Sequence, residues 1–176
     1  MATSDMHTIG VAIAIPQPYG DELAGWRRSF GDPMAASAPP HITLLPPTEL
    51  DGAELGVVEE HLRQVAASRE PFVVHLRGTA TFRPVSPVVF VGLAQGISDC
   101  ETLSKAIRTG PLPTELPFPY HPHVTVAHEL PEPVMDRAFE ALADYEANFV
   151  VDAFGLYSHG TDGVWRKHRD FLLGGT

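Results

Sequence analysis

An α+β fold is expected for this chain: a duplicated, two-lobed arrangement with pseudo-two-fold symmetry, its mainly antiparallel sheets flanked by helices around a central cleft. Three observations predict it. The segment His41-Ile42-Thr43-Leu44 recurs as His123-Val124-Thr125-Val126. A second echo, Phe72-Val73-Val74 with Gly78, recurs as Phe149-Val150-Val151 with Gly155. Between motif and echo, Leu55, Val58, Leu62 and Val65 in one half, and Met135, Ala138, Leu142 and Tyr145 in the other, recur at three-four-three spacing. That is one face of a helix. Self-similarity on this scale marks a repeated structural unit. We read residues 8–85 and 86–172 as lobe-forming repeats of a single domain, 1–176.

Each element has its own signal. Residues 8–15 are an unbroken apolar strand, and residues 20–30 a helix with Leu23, Trp26 and Phe30 at spacings of three and four. A Gly/Pro/Ala loop, 31–40, leads to a strand over 41–45 that Pro46-Pro47 closes. A helix over 52–67 and a strand over 72–82 follow, with the turn at Pro84 and Pro87. The second half repeats the order. Residues 88–94 are a strand, and Ser98-x-x-Glu101 is a capping box opening a helix through Arg108, with Gly110 at its C-terminal cap. A Pro-rich loop, 111–122, precedes a strand over 123–128 and a helix over 132–145. A strand over 148–158 turns at Thr161-Asp162-Gly163 into a last strand, 164–172.

Composition narrows the function. The net charge of −10 argues against a non-specific binder of long nucleic acid or DNA, which needs a broad basic footprint. A short anionic ligand at a local site stays compatible with it. The single Cys100 excludes an internal disulfide and favours a reducing, cytoplasmic setting. The apolar run Val11–Ile15 is too short to span a membrane and lacks the flanks of a signal peptide. No strong exposed amphipathic stripe is legible, so a monomer is expected.

The repeated motif carries the chemistry. Side chains alternate along a strand, so His41 and Thr43 share one face, and His123 and Thr125 share the corresponding one. If the halves pack about a two-fold axis, the cleft holds two imidazoles and two hydroxyls. One neutral imidazole can accept a proton from water while one imidazolium donates to a departing oxygen. Threonine hydroxyls can donate to the non-bridging oxygens of a phosphodiester. Such chemistry needs neither a metal nor a cofactor. A strained five-membered cyclic phosphate is a plausible target.

With these residues in view, HITL and HVTV, one per half of a duplicated α+β chain, resemble the 2H phosphoesterase superfamily. The chain looks most like its bacterial 2′-5′ RNA ligase-like branch, the RNA 2′,3′-cyclic phosphodiesterases, over residues 8–172. The resemblance implies a bilobed cleft, with His41, Thr43, His123 and Thr125 as the catalytic set. It implies activity on 2′,3′-cyclic phosphate ends or 2′-5′ linkages, on a small nucleotide or an RNA end, with ligation as the reverse reaction. One position departs: many members of this branch carry Arg just after the second motif, where this chain has His128. Which histidine is acid and which base is not legible; the working assignment makes His41 the acid and His123 the base.

Around this set, His121, His128, Tyr120, Arg83 and Arg166 are candidates for substrate contact, with Lys167 and Arg169 as further cations and Phe118 as a second loop aromatic. Two rival readings remain open. One is a metal-dependent hydrolase built on His121 and His123, since His-x-His on a strand is a familiar ligand spacing. The other is a non-catalytic nucleotide-binding protein that keeps the cleft. Trp26 and Trp165 read as core or half-buried residues, and Cys100 as packed.

Overall fold

Most apolar runs fold as their periods predict, in a computed structural model that describes residues 5–174; the helix expected over 132–145 ends at Ala141, before Leu142 and Tyr145 of its stripe. The extreme ends of the expected 1–176 domain lie outside the described residues. The first half forms β1 (Met6–Ala14), α1 (Tyr19–Ser29), β2 (His41–Asp51), α2 (Leu55–Ala67) and β3 (Phe72–Thr81). The second forms β4 (Val88–Gln95), α3 (Ile97–Ile107), β5 (Val124–His128), α4 (Glu132–Ala141), β6 (Glu146–Val151), β7 (Ala153–His159) and β8 (Trp165–Leu172).

Three local departures from the sequence reading have physical causes. Pro46-Pro47 does not end β2; the pairing with β1 slips around it and resumes at Ile9 and Thr48. β2 is an outer strand, where prolines are tolerated because no second neighbour needs their missing N–H. α3 starts at Ile97 behind Gly96, whose φ is 95°, and no side chain caps it. The expected Ser98 capping box therefore lies inside the first turn. The predicted strand over 148–158 is two strands, β6 and β7, in different sheets.

That break exposes how the halves combine. One sheet has the order β2-β1-β7-β8 and the other β5-β4-β3-β6. All neighbours are antiparallel. The lobes therefore do not follow residues 8–85 and 86–172: β3 sits in the second sheet beside β4, and β7 returns to the first beside β1. The Phe-Val-Val echoes pair with each other, Phe72 opposite Val151, Val73 opposite Val150 and Val74 opposite Phe149. The pseudo-two-fold axis passes between Val73 and Val150. The echoed glycines serve separate needs. Gly78 adopts φ 68° at a bulge in β3, whereas a Cβ on Gly155 would stand 2.9 Å from the Tyr157 ring.

Helices cross over as well. α1 packs on β5 and α3 on β2, while α2 lies against β8 and α4 covers β3, β4 and β5. The buried cluster runs unbroken through both lobes, from Ile9, Ile42, Leu44 and Leu62 to Val91, Leu103, Val124 and Met135. Among the described residues no helix is long and apolar enough to cross a membrane.

Candidate active site

Both motif strands are outer strands, and the edges of β2 and β5 pack against each other. An open sheet edge leaves backbone groups without ladder partners. Here side chains of the opposite half supply them. Tyr120 donates its hydroxyl to the Thr43 carbonyl at 2.7 Å, and Ser104 donates to the Leu44 carbonyl at 2.7 Å. In return the His128 N–H donates to the Asp32 carboxylate at 3.1 Å. The cleft is thus the seam between two edges, stitched from both sides.

Strand alternation holds in both motifs. Ile42, Leu44, Val124 and Val126 are buried, while His41, Thr43, His123 and Thr125 are half-buried. The two imidazoles make the same hydrogen bond. His41 Nδ1 lies 2.8 Å from the Pro39 carbonyl, and His123 Nδ1 lies 2.7 Å from the His121 carbonyl. A carbonyl only accepts, so each Nδ1 carries the proton and donates it. Each Nε2 is left as the working atom. The hydroxyls of Thr43 and Thr125 have no partner among the described residues and are not sealed from solvent. By contrast Thr48, Thr79, Thr81 and Thr102 all tie theirs to carbonyls.

Both histidines have pKa values lowered from the ordinary imidazole value. For His41, burial dominates; the Pro39 carbonyl bond opposes it, and the Arg27 charge adds to it. For His123, burial again dominates, opposed by its bond to the His121 carbonyl and helped by the nearby His121 and His41 rings. The two catalytic candidates therefore sense each other. His123 stands edge-on to Phe82, with centroids 5.0 Å apart, and is tilted against Phe90 at 5.1 Å.

The remaining candidates divide. His121 is exposed at the rim, its ring roughly parallel to that of His123 with centroids 6.3 Å apart. Among the described residues no group of three or more His, Cys, Asp or Glu side chains could hold a metal. Tyr120 is packed on the core as a latch onto β2, so it is no open stacking surface; Phe118 is 63% exposed. His128 comes back to the face of Thr125 because the β4–β5 register slips between Val89 and Phe90. The Arg83 guanidinium bonds Glu132 and Asp136 on α4. Arg166 pairs with Asp162 in the β7–β8 turn. Arg169 and His168 lie against Glu59 of α2, and Lys167 pairs with Asp170.

Arg27 and Asp32 escaped the sequence reading. Arg27 lies four residues after Leu23 on the buried stripe of α1, which is Gly20, Leu23 and Arg27, while Trp26 is 40% exposed. Arg27 Nε donates to Asp32 Oδ2 at 2.8 Å, with side-chain exposures of 10% and 0%. The two Nη groups of Arg27 have no hydrogen bond to a described residue. The available signal was an arginine inside an apolar stripe, five residues before an aspartate.

A family model described as the 2'-5' RNA ligase superfamily matches residues 15–163. The chain belongs to that superfamily. Its similarity extends to a provisionally named phosphoesterase of Bacillus cytotoxicus, 27% identical over 170 residues and covering 94% of this chain and 96% of the relative. A provisionally named phosphoesterase of Bacillus licheniformis is 27% identical over 164 residues, covering 92% and 96%. Among solved structures, Escherichia coli LigT in complex with 3'-AMP superposes with a TM-score of 0.71 at 18% identity, covering 96% of this chain and 98% of LigT. That likeness carries the two-lobe fold of this superfamily member.

Proposed function

We propose that this superfamily member is a phosphodiesterase that opens 2′,3′-cyclic phosphates or cleaves 2′-5′ nucleotide linkages, using His41 and His123 as its acid–base pair. The observation that carries this is the duplicated Nδ1–H bond to a carbonyl two residues upstream. It leaves two Nε2 atoms of matched tautomer free, the set that proton transfer in both directions within one cleft needs. One Nε2 takes a proton from the attacking water. The other, protonated, gives its proton to the departing ribose oxygen. The unpartnered hydroxyls of Thr43 and Thr125 donate to the non-bridging oxygens, where negative charge builds. Opening the ring with a ribose hydroxyl in place of water, run in either direction, uses the same groups.

Arg27 of α1, clamped by Asp32, is a fixed positive charge that acts on His41. It is a candidate to supply the charge that Arg provides after the second motif in many members, where this chain has His128. The phosphoesterase names of the Bacillus relatives support the reaction class. Crystals of LigT with 3'-AMP, NADP+ and ATP support a small nucleotide or an RNA end as the partner.

The test is turnover of the four 2′,3′-cyclic nucleoside monophosphates with a chelator present, for wild type, His41→Ala and His123→Ala. Wild type is expected to be active, and each variant to lose at least about a hundredfold in kcat, the scale of one general acid or base. Activity that needs added metal, or survives either substitution, refutes the paired-histidine mechanism.

A further inference from the structure

We infer that the pocket between Trp165 and the His41–Thr43 face of β2 is a nucleobase seat that grips its ring by stacking. The inference rests on the phosphodiesterase reading and adds where the base lies. Gly10, Ala12, Ala38, Pro39, Tyr157 and Trp165 line this pocket beside His41 and Thr43, and it encloses about 110 Å³. Pockets for whole drug-sized ligands run to roughly 300–1,000 Å³. This one suits a single flat ring system, with the sugar and phosphate outside it at the histidines.

Two glycines make the seat possible. Gly10 of β1 lies under the Trp165 indole, and a Cβ there would stand 3.3 Å from Cζ3 and 3.6 Å from Cη2. Gly155 of β7 lies under the Tyr157 ring, and a Cβ there would stand 2.9 Å from Cε2. With no side chain beneath them, both rings settle close to the sheet, and the indole reaches from β8 across to β1. Trp165 is held from behind as well: its ring packs against His159 with centroids 4.8 Å apart, and its backbone N–H, which fixes the main chain there, donates to the Ser37 carbonyl at 2.8 Å. A half-buried indole thus lines one pocket with two catalytic candidates of β2, His41 and Thr43.

The lining is almost wholly apolar. No Asn, Gln, Asp, Glu, Lys or Arg reaches it to read a base edge. Stacking is sequence-tolerant because every base has a π-face, and it contributes about 1–3 kcal/mol per base. The seat therefore takes purines and pyrimidines alike.

The experiment compares each 2′,3′-cyclic nucleoside monophosphate with the base-less analogue methyl riboside 2′,3′-cyclic phosphate. The readout is the ratio of their kcat/KM values in wild type, Trp165→Ala and Trp165→Phe. The ratio is expected to fall by about 5- to 150-fold in Trp165→Ala for all four bases, the stacking energy expressed as a rate ratio. Trp165→Phe should recover part of it. Gly10→Val, whose side chain would push the indole off the sheet and out of the seat, should lower the ratio too. A general loss of structure would lower both substrates together and leave the ratio unchanged, and an unchanged ratio overturns the proposal. If wild type turns over none of these compounds, the phosphodiesterase reading has failed and the seat is tested by binding of adenosine 3′-monophosphate. Weakened binding in Trp165→Ala then upholds the seat, and equal binding overturns it.

Discussion

His41 and His123 owe their usefulness to the carbonyls two residues behind them. With Nδ1–H committed to Pro39 and to His121, neither ring can flip its tautomer without losing a hydrogen bond. Burial then lowers both pKa values, more than the carbonyl bonds raise them. The consequence for pH has a definite sign. The base must be neutral, so activity rises as pH climbs through its pKa; the acid must be protonated, so activity falls as pH climbs through its own. With both pKa values below the ordinary ~6.5, the bell of kcat/KM should peak on the acid side of that value. The pair titrates as a coupled unit, so the limbs belong to the pair. A bound anionic phosphate favours the imidazolium, so the kcat bell should lie at higher pH than the kcat/KM bell. A kcat/KM profile that peaks above about pH 7.5 would contradict this assignment of cause. These residues were legible because alternation on a strand is a local rule. Arg27 was not, because an arginine in an apolar stripe with an aspartate five residues on says nothing locally about its bearing on His41, which comes from another element. Trp165 read as a packing residue, since nothing local says that its far side is empty.

At the level of elements, the site depends on two sheet edges being closed from across the molecule. β2 receives Tyr120 and Ser104 from the second half, and β5 receives Asp32 from the first. The Asp32 carboxylate does three tasks: it holds Arg27, accepts from Met34 N–H at 2.9 Å and accepts from His128 N–H. Asp32→Ala would leave the buried Arg27 charge without its partner, and should lower unfolding stability by about 3–5 kcal/mol. Tyr120→Phe removes one neutral bond and leaves one carbonyl unpaired, and should cost only about 1–2 kcal/mol. Urea unfolding of the two variants beside wild type checks the order. A smaller loss for Asp32→Ala would mean that water replaces the carboxylate at Arg27. Element types and most boundaries were readable, since helix and strand periods are carried by neighbours in sequence. The run of β2 through Pro46-Pro47 was not, because proline's tolerance there depends on β2 being an outer strand.

The whole molecule is a duplication whose halves have traded parts. β3 completes the sheet of β4 and β5, β7 completes that of β1 and β2, and α1 and α3 pack on strands of the opposite half. Motif and echo could be counted in the sequence, but local periodicity says nothing about which strand pairs with which. The change of sheet at Asp152, between β6 and β7, leaves the apolar pattern of 148–158 intact and so leaves no local trace. The exchange has an energetic meaning. Neither repeat contains a complete sheet, and one buried cluster spans both lobes. We propose that the chain folds as a single cooperative domain, in which assembling either lobe assembles the cleft. Unfolding in guanidinium should then give coincident transitions by far-ultraviolet circular dichroism, which reports all strands and helices, and by tryptophan fluorescence, which reports Trp26 and Trp165 alone. Fragments 1–85 and 86–176 should each stay unfolded in isolation, because β3 would lack both β4 and β6 and β7 would lack β1, and should regain helix and sheet signal when mixed. Separate transitions, or a fragment that folds alone, would mean that the lobes are independent units and that the facing of His41 and His123 is set only by the latches between them.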